Sequence, residues 1–289
     1  MPLTRLNDIA NSATLDEAWA AATPRFAELG FARVNYGLTR FRLDWSVGDP
    51  DDAIYLSTAS PEYMRFYFKG GHFSRTPIFR WLVYNTGLTT WRWVEEDYAA
   101  GHLSPGETEA VRLNLSLQVR AGLTISFPTQ NRRVKAALGL IADPGLDHDD
   151  VDRILAQHGA EIEAISHMLH FRIASLPPAY ALRRLTDRQR EALEWVADGK
   201  TTQDIALLMG ISAAMVEKHL RLARAALNVG TTAQAVAKGT LLNMIFTRVV
   251  PDRSGGEDPA RTPVGVPAGA PATSPPLAAA RAGVEKTER

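Results

Sequence analysis

Two adjacent prolines, Pro177-Pro178, interrupt the longest helical pattern in the chain. A proline lacks the backbone N–H a helix needs and pushes the residue before it away from helical backbone. The stretch Ser175–Leu176–Pro177–Pro178–Ala179–Tyr180 therefore reads as a linker, placed at residues 175–182. The chain must then fold as two bodies, 1–174 and 183–250, which suits its 289 residues at roughly 100–200 residues per domain. The last 39 residues, Pro251–Arg289, differ again: 20 of them are Pro, Gly or Ala and none is aromatic. Such a segment cannot bury enough apolar surface to offset the entropy of ordering, so 251–289 is expected to be a disordered tail.

The linker also divides the charge. The whole chain balances at 32 Lys+Arg against 32 Asp+Glu, which by itself argues against a nucleic-acid partner. Yet residues 1–182 hold 17 basic and 21 acidic side chains, net −4, while 183–250 hold 10 and 6, net +4. The zero is a cancellation between an acidic body and a basic one. The absence of cysteine excludes a disulfide scaffold, a thiolate metal site and a Cys nucleophile. No run approaches the ~18–20 apolar residues of a membrane helix. The first residues lack the apolar core of a signal peptide. A cytoplasmic protein without membrane attachment is expected.

In the basic body, Thr186 suits an N-cap and Gln189 completes a capping box. Leu185 precedes it as a staple. Ala192, Leu193, Val196 and Ala197 then form an apolar face, ended by Gly199. Thr201 opens a second helix with Asp204 in its first turn. Ile205, Ala206, Leu208 and Met209 are expected to face inward, Gly210 to end the helix and Ile211 to plug the turn. Ser212 caps a third helix reaching about Leu227, with Val216, Leu220, Ala223 and Leu227 apolar. Lys218, His219, Arg221 and Arg224 lie on its other face. A fourth helix is predicted over Thr232–Thr247. Helix, short Gly-containing turn and helix with a basic face make the helix-turn-helix pattern. Cations suit phosphates, and the small Ala213 and Ala214 let a helix enter a major groove. Periodicity and charge alone equally allow a helical bundle whose charged face is only solvated.

The motifs Leu185-Thr186-x-Arg188-x-x-Glu191-x-Leu193, Ala197-x-Gly199-Lys200-Thr201, Ile205-Ala206, Gly210-Ile211-Ser212, Val216-x-x-His219-Leu220 and Leu227-x-Val229 run in order and without gaps. Together they resemble the LuxR-type helix-turn-helix domain. The resemblance implies that Ser212–Leu227 is the recognition helix. It assigns Thr201, Ser212, Ala213, Met215, Lys218, His219, Arg221 and Arg224 to DNA. It also implies a homodimer on a two-fold-related promoter site, with the last helix pairing the protomers. Gln189 stands where the family usually has Glu, Met215 where Thr usually opens the recognition helix, and Ala226 and Thr232 replace usual basic residues. Fewer cations mean fewer phosphate contacts and a shallower dependence on salt.

Region 1–174 does not read as a phosphorylation receiver, which would repeat strand and helix with parallel, continuously apolar strands. It opens with a helix, Thr14–Leu29, capped by Thr14 with Glu17. A strand follows over Phe31–Arg42, then helices at Pro61–Lys69, Thr76–Asn85 and Pro105–Val119, the last capped by Ser104 with Glu107. Strands Gly122–Pro128 and Val134–Ala142 and a long helix, Asp149–Phe171, close it. The whole is classed α+β: an N-terminal α/β/α sandwich with an antiparallel sheet and a C-terminal all-α four-helix helix-turn-helix domain. The middle of the sandwich is dense in aromatics, which suits either an apolar ligand cavity or an aromatic core.

Tyr63, Tyr67, Thr76-Pro77 and Trp91 follow one another at steps of 4, 9 and 15, and Gly122 comes later. This resembles the autoinducer-binding domain of LuxR-type quorum-sensing receptors, whose ligand is an N-acyl homoserine lactone. There the pattern is Trp, Tyr, Asp-Pro and Trp, then Gly. The resemblance implies a ligand site of Tyr63, Tyr67, Thr76, Pro77, Trp91 and Gly122, with Tyr67 and Trp91 as walls and the acyl tail under the sheet. Tyr63 replaces the Trp that donates to the lactone carbonyl; a phenol can donate to the same oxygen. Thr76 replaces the Asp that accepts the ligand amide, so that bond loses its charge and about half its strength.

Three functions follow: a regulator responsive to a lactone, an orphan regulator that reads another small apolar signal or none, and an adaptor that sequesters a related regulator in mixed dimers. No enzyme is expected, since no phosphate loop or nucleophile elbow occurs, and no cofactor. His167-x-x-His170 is read as a partly exposed helix end rather than a metal site. The Asp147–Asp150 run is read as acids suiting a helix start.

Overall fold

The computed structural model describes residues 2–42, 52–177 and 185–247. The expected tail at 251–289 and residues 178–182 of the linker lie outside the described residues. The first body runs α1 (Pro2–Asn11), α2 (Leu15–Glu28), β1 (Arg33–Thr39), β2 (Ile54–Ser57) and α3 (Pro61–Met64), which passes into a π-helical turn, Arg65–Lys69. Then come α4 (Pro77–Tyr84), β3 (Gly87–Thr90), α5 (Arg92–Ala99), α6 (Pro105–Ser116), β4 (Gly122–Ser126), β5 (Lys135–Ile141) and α7 (His148–Ser175). The second runs α8 (Asp187–Ala197), α9 (Thr202–Met209), α10 (Ala213–Ala226) and α11 (Thr232–Leu241).

The strands form one five-stranded sheet in the order β2-β1-β5-β4-β3, every pairing antiparallel. The expected antiparallel sandwich and four-helix reader are both present. One face of the sheet packs its alternate residues against α1, α2 and α7: Val34, Tyr36, Leu38, Leu123, Leu138 and Leu140 meet Ile9, Phe26, Ile162 and Leu169. The reader has its own core of Leu193, Ile205, Val216, Leu220, Leu227 and Ile245.

Several helix starts are set as the caps indicate. Ser104 with Glu107, Thr186 with Gln189 and Thr201 with Asp204 are reciprocal capping boxes. Asp147 with Asp150 is another and heads α7. Thr14 caps α2, but Glu17 reaches one residue further back, to the Ala13 N–H. Gly210 ends α9 at φ 65°, a left-handed turn that a glycine adopts without steric cost.

Other expectations need correction. Helix α1 and strands β2 and β3 are absent from the sequence reading, as is α5. The strands are four residues each, too short to show a period. The fourth reader helix stops at Leu241 rather than Thr247. There Asn243 (φ 53°) turns the chain, so that the Met244 N–H bonds the Gly239 carbonyl and the Met244 carbonyl accepts from Arg190 Nε. This carries Met244 and Ile245 into the core from a turn. Leu208, expected to face inward, is 51% exposed, because only the Ile205–Ala206–Met209 stripe of α9 packs. His170 is no exposed helix end: it is buried, stacked on Phe127 at 4.2 Å, and bonded through Nδ1 to the Tyr36 hydroxyl at 2.9 Å.

Candidate ligand cavity and DNA-reading face

Successive residues of a strand point to opposite faces. The residues of β1 and β5 that do not enter the core therefore line the other side: Asn35, Gly37 and Thr39, and Lys135, Ala137 and Gly139. Gly37, Ala137 and Gly139 carry little or no side chain, so this face has a hollow floor. Residues of the π-helical turn, α4, α5 and α6 roof it. The cavity measures about 490 Å³, within the roughly 300–1,000 Å³ of small-molecule sites.

Tyr63, Tyr67, Thr76, Pro77 and Trp91 all line this cavity. The Tyr63 and Tyr67 rings stack at 5.3 Å and 11°. The Tyr63 hydroxyl accepts from Asn35 Nδ2 at 3.4 Å, and Asn35 Oδ1 accepts from Ser57 at 2.7 Å. That bond leaves the Tyr63 hydroxyl proton uncommitted. Burial pushes the Tyr63 and Tyr67 phenols upward, so both are neutral donors at neutral pH.

Thr76 is 5% exposed and is the N-cap of α4. Its hydroxyl donates to the Phe73 carbonyl at 2.8 Å and accepts from the Phe79 N–H at 3.2 Å. These two bonds use its proton and one of its two lone pairs. Pro77 occupies the first turn of α4, where its missing N–H costs nothing.

Trp91 donates its indole N–H to Thr124 Oγ1 at 2.9 Å, and its backbone N–H to the Gly122 carbonyl at 3.0 Å. Gly122 is not among the lining residues; it sits beneath Trp91. A Cβ there would stand 2.9 Å from the indole and 2.4 Å from the Leu140 carbonyl oxygen.

The sequence reading missed the lining groups Asn35, Arg42 and Lys135; Tyr55, one of the aromatics in the dense middle of the sandwich, lines the cavity too. The Tyr55 hydroxyl is buried without a hydrogen-bond partner among the described residues, and burial pushes it up to about 12. The signal for Asn35 and Lys135 was present, since both fall on the alternate face of their strands.

In the reader, Met215, Lys218 and Arg221 are exposed and recur every three residues along α10, so they share one face. Ser212 and Thr201 are exposed, but their hydroxyls cap α10 and α9. Ala213 and His219 are half-buried. Arg224 donates to Thr232 Oγ1 at 2.9 Å, tying α10 to α11. Thr202 donates to Glu217 at 2.9 Å, tying α9 to α10.

Phe41, just past the end of β1, reaches the reader core. Thr39 and Arg42 line the cavity, and Phe41 between them packs on the reader core. Lys238 Nζ lies 5.5 Å from the Phe41 ring and 2.5 Å from Asp52 Oδ2, with both side chains largely buried. Asn243 Nδ2 donates to the Ala174 carbonyl at 2.9 Å.

A cavity between a sheet and an aromatic roof, joined to a helix-turn-helix reader, defines a sensor–reader protein. Comparisons with known proteins agree. The profile described as autoinducer binding domain matches residues 14–173, and that described as sigma-70, region 4, matches 167–227. The chain belongs to the autoinducer-binding family and is built as a LuxR-type regulator.

The HTH-type quorum sensing-dependent transcriptional regulator RpaR of Rhodopseudomonas palustris is 35% identical over 98 residues, 33% of this chain and 40% of RpaR. The transcriptional activator protein SolR of Ralstonia solanacearum is 27% identical over 223 residues, 75% of this chain and 87% of SolR. Among solved structures, Escherichia coli SdiA aligns with a TM-score of 0.49 at 14% identity, covering 85% of this chain and 98% of SdiA. Among the described residues no helix is long and apolar enough to cross a membrane, and no group of His, Asp and Glu could hold a metal.

Proposed function

We propose that this chain is a ligand-responsive transcriptional regulator that binds a two-fold DNA site as a homodimer. The cavity carries the reading: its volume, apolar walls and few inward polar groups suit one small amphipathic signal. Ligand binding shifts the protein toward the DNA-competent state to the extent that the ligand prefers that state. Phe41, between two cavity-lining residues and against the reader core, gives that preference a physical route.

An N-acyl homoserine lactone is the first ligand to test, with Tyr63 donating to the lactone carbonyl and Thr76 accepting the amide. Thermal unfolding with lactones of increasing acyl length decides it. A rise in Tm at a favoured length, with tighter DNA binding, supports the lactone. No shift at any length, alongside intact ligand-free DNA binding, removes it.

One observation favours a second reading, a signal without that amide. The Thr76 hydroxyl already serves Phe73 and Phe79, leaving a single uncharged acceptor where a carboxylate would offer several. Thr76→Asp retains the cap and adds charge. It should tighten an acyl homoserine lactone about tenfold, on the scale of one charged hydrogen bond, and leave an ester lacking the N–H unchanged.

A further inference from the structure

Tyr55 of β2 stands directly opposite Gly37 of β1, two residues along from the Ser57–Asn35 pair. Residues paired in this way put their side chains on one face of a sheet. Tyr55 therefore shares the cavity face with Asn35 and Gly37 and lines the cavity with them. Its ring lies against Gly37, where a Cβ would come within 3.6 Å of Cδ1 and Cε1. Phe68 stacks on the ring at 4.5 Å and 27°, and Phe73 lies at 6.1 Å. Packing on these sides fixes where the phenol points.

In that position the Tyr55 hydroxyl is shut off from solvent and has no hydrogen-bond partner among the described residues. A buried donor left unpaired costs free energy that a phenylalanine in the same place avoids. Burial also pushes the phenol up to about 12, so it keeps its proton at neutral pH and can donate it. The rings around it are apolar, and a hydrogen bond made there is stronger than one made in water.

A second donor lies close by. The Tyr63 hydroxyl sits 3.4 Å from Asn35 Nδ2, and its proton is uncommitted. Asn35 and Gly37 are two residues apart on β1, about 7 Å at ~3.3 Å per residue. The cavity thus sets two phenolic O–H groups in a row along one strand. A ligand with a polar head at Tyr63 and a plain hydrocarbon chain would leave the second unpaired.

We propose, resting on the small-molecule sensor reading above, that Tyr55 is a specificity-determining residue. It selects a ligand whose chain carries a keto or hydroxyl oxygen close to the polar head held at Tyr63. The Tyr55 O–H donates to that oxygen. A chain of methylenes alone buries the hydroxyl without a partner, so the same group rejects the wrong ligand as well as holding the right one.

The test uses the full chain and two pairs of probes. One pair is N-dodecanoyl and N-(3-oxododecanoyl) homoserine lactone; the other is methyl dodecanoate and methyl 3-oxododecanoate, which lack the amide that Thr76 would read. Binding is measured calorimetrically at pH 7. In each pair that binds, the 3-oxo member should bind about tenfold more tightly, ~1.4 kcal/mol. Tyr55→Phe keeps the ring and its packing, and should bring that ratio to about one. Without ligand Y55F should unfold at the same temperature or higher, since it removes an unpaired buried group. Tyr63→Phe should weaken both members of a pair alike and leave the ratio in place.

A ratio near one in the native protein overturns the proposal, as does a ratio that survives in Y55F. If Y55F weakens both members equally, the phenol meets the head and the assignment to the chain falls. A ligand-free Y55F protein that unfolds at a lower temperature shows the hydroxyl already paired within the chain, and overturns it too. In each of these cases the probes bind and the sensor reading stands. If none of the four binds, both fall.

Discussion

Gly122 lies directly under the Trp91 indole, close enough that a Cβ would stand 2.9 Å from the ring and 2.4 Å from the Leu140 carbonyl oxygen. The second contact is with backbone in the paired strand and cannot be relieved by rotating a side chain. Gly122→Ala should therefore push β4 from β5 and tilt Trp91 out of the cavity wall. A loss of about 2 kcal/mol, as for other overpacked interiors, is expected in denaturant unfolding, together with loss of ligand-induced stabilisation. An unchanged ligand response in a stable G122A protein would show that Trp91 does not shape the site.

The Lys238–Asp52 pair is a second dependence on tertiary structure. Its side chains are 13% and 4% exposed, so removing the cation takes the ammonium counter-charge from a buried carboxylate. Lys238→Met should cost roughly 3 kcal/mol. The double variant D52N/K238M should recover a large part of that, since it removes both charges. Equal losses in the single and double variants would mean that the ion pair is not the source.

On α10, exposed Lys218 and Arg221 are expected to contact phosphates. Lys218→Ala and Arg221→Ala should each weaken binding uniformly across DNA sequences and reduce the salt slope by about 1. Arg224→Ala should differ, lowering reader stability as well, because Arg224 bonds Thr232. Gel-shift titrations at several salt concentrations, beside thermal unfolding, separate the two classes.

His170 is held down to about 4 by burial first, then by the charges of His167 and Arg40. Below the usual histidine range near 6.5 the unfolded chain takes up a proton that the folded chain refuses. Stability from this group is therefore complete above pH 6.5 and is lost as pH falls toward 4, by up to roughly 3 kcal/mol at ~1.36 kcal/mol per unit. The difference in stability between the native protein and His170→Phe, measured across pH 4–7, should carry this slope. A constant difference across that range would place the titration elsewhere.

The cavity shows how far local pattern reaches. Tyr63, Tyr67, Thr76, Pro77 and Trp91 were legible as a spaced set, and all five line the same space. Gly122 was legible too, but its place beneath Trp91 was not, because that depends on strand pairing across 31 residues of sequence. Thr76 reads as a ligand contact in the linear pattern. In three dimensions its hydroxyl is largely occupied as the cap of α4.

What the sequence determined by itself was local: the proline break, the division of charge, and helix starts at Thr186, Thr201, Ser212 and Ser104. Each depends on a side chain bonding backbone three residues away, so neighbours in sequence suffice. What only the tertiary structure decided was long-range. The four-residue strands β2 and β3, the early end of α11, the burial of His170, and the meeting of Lys135 with Arg42 all depend on partners far along the chain. A strand's second face has no inherent partner. Here small residues and a roof of helices left it facing a cavity instead of a core.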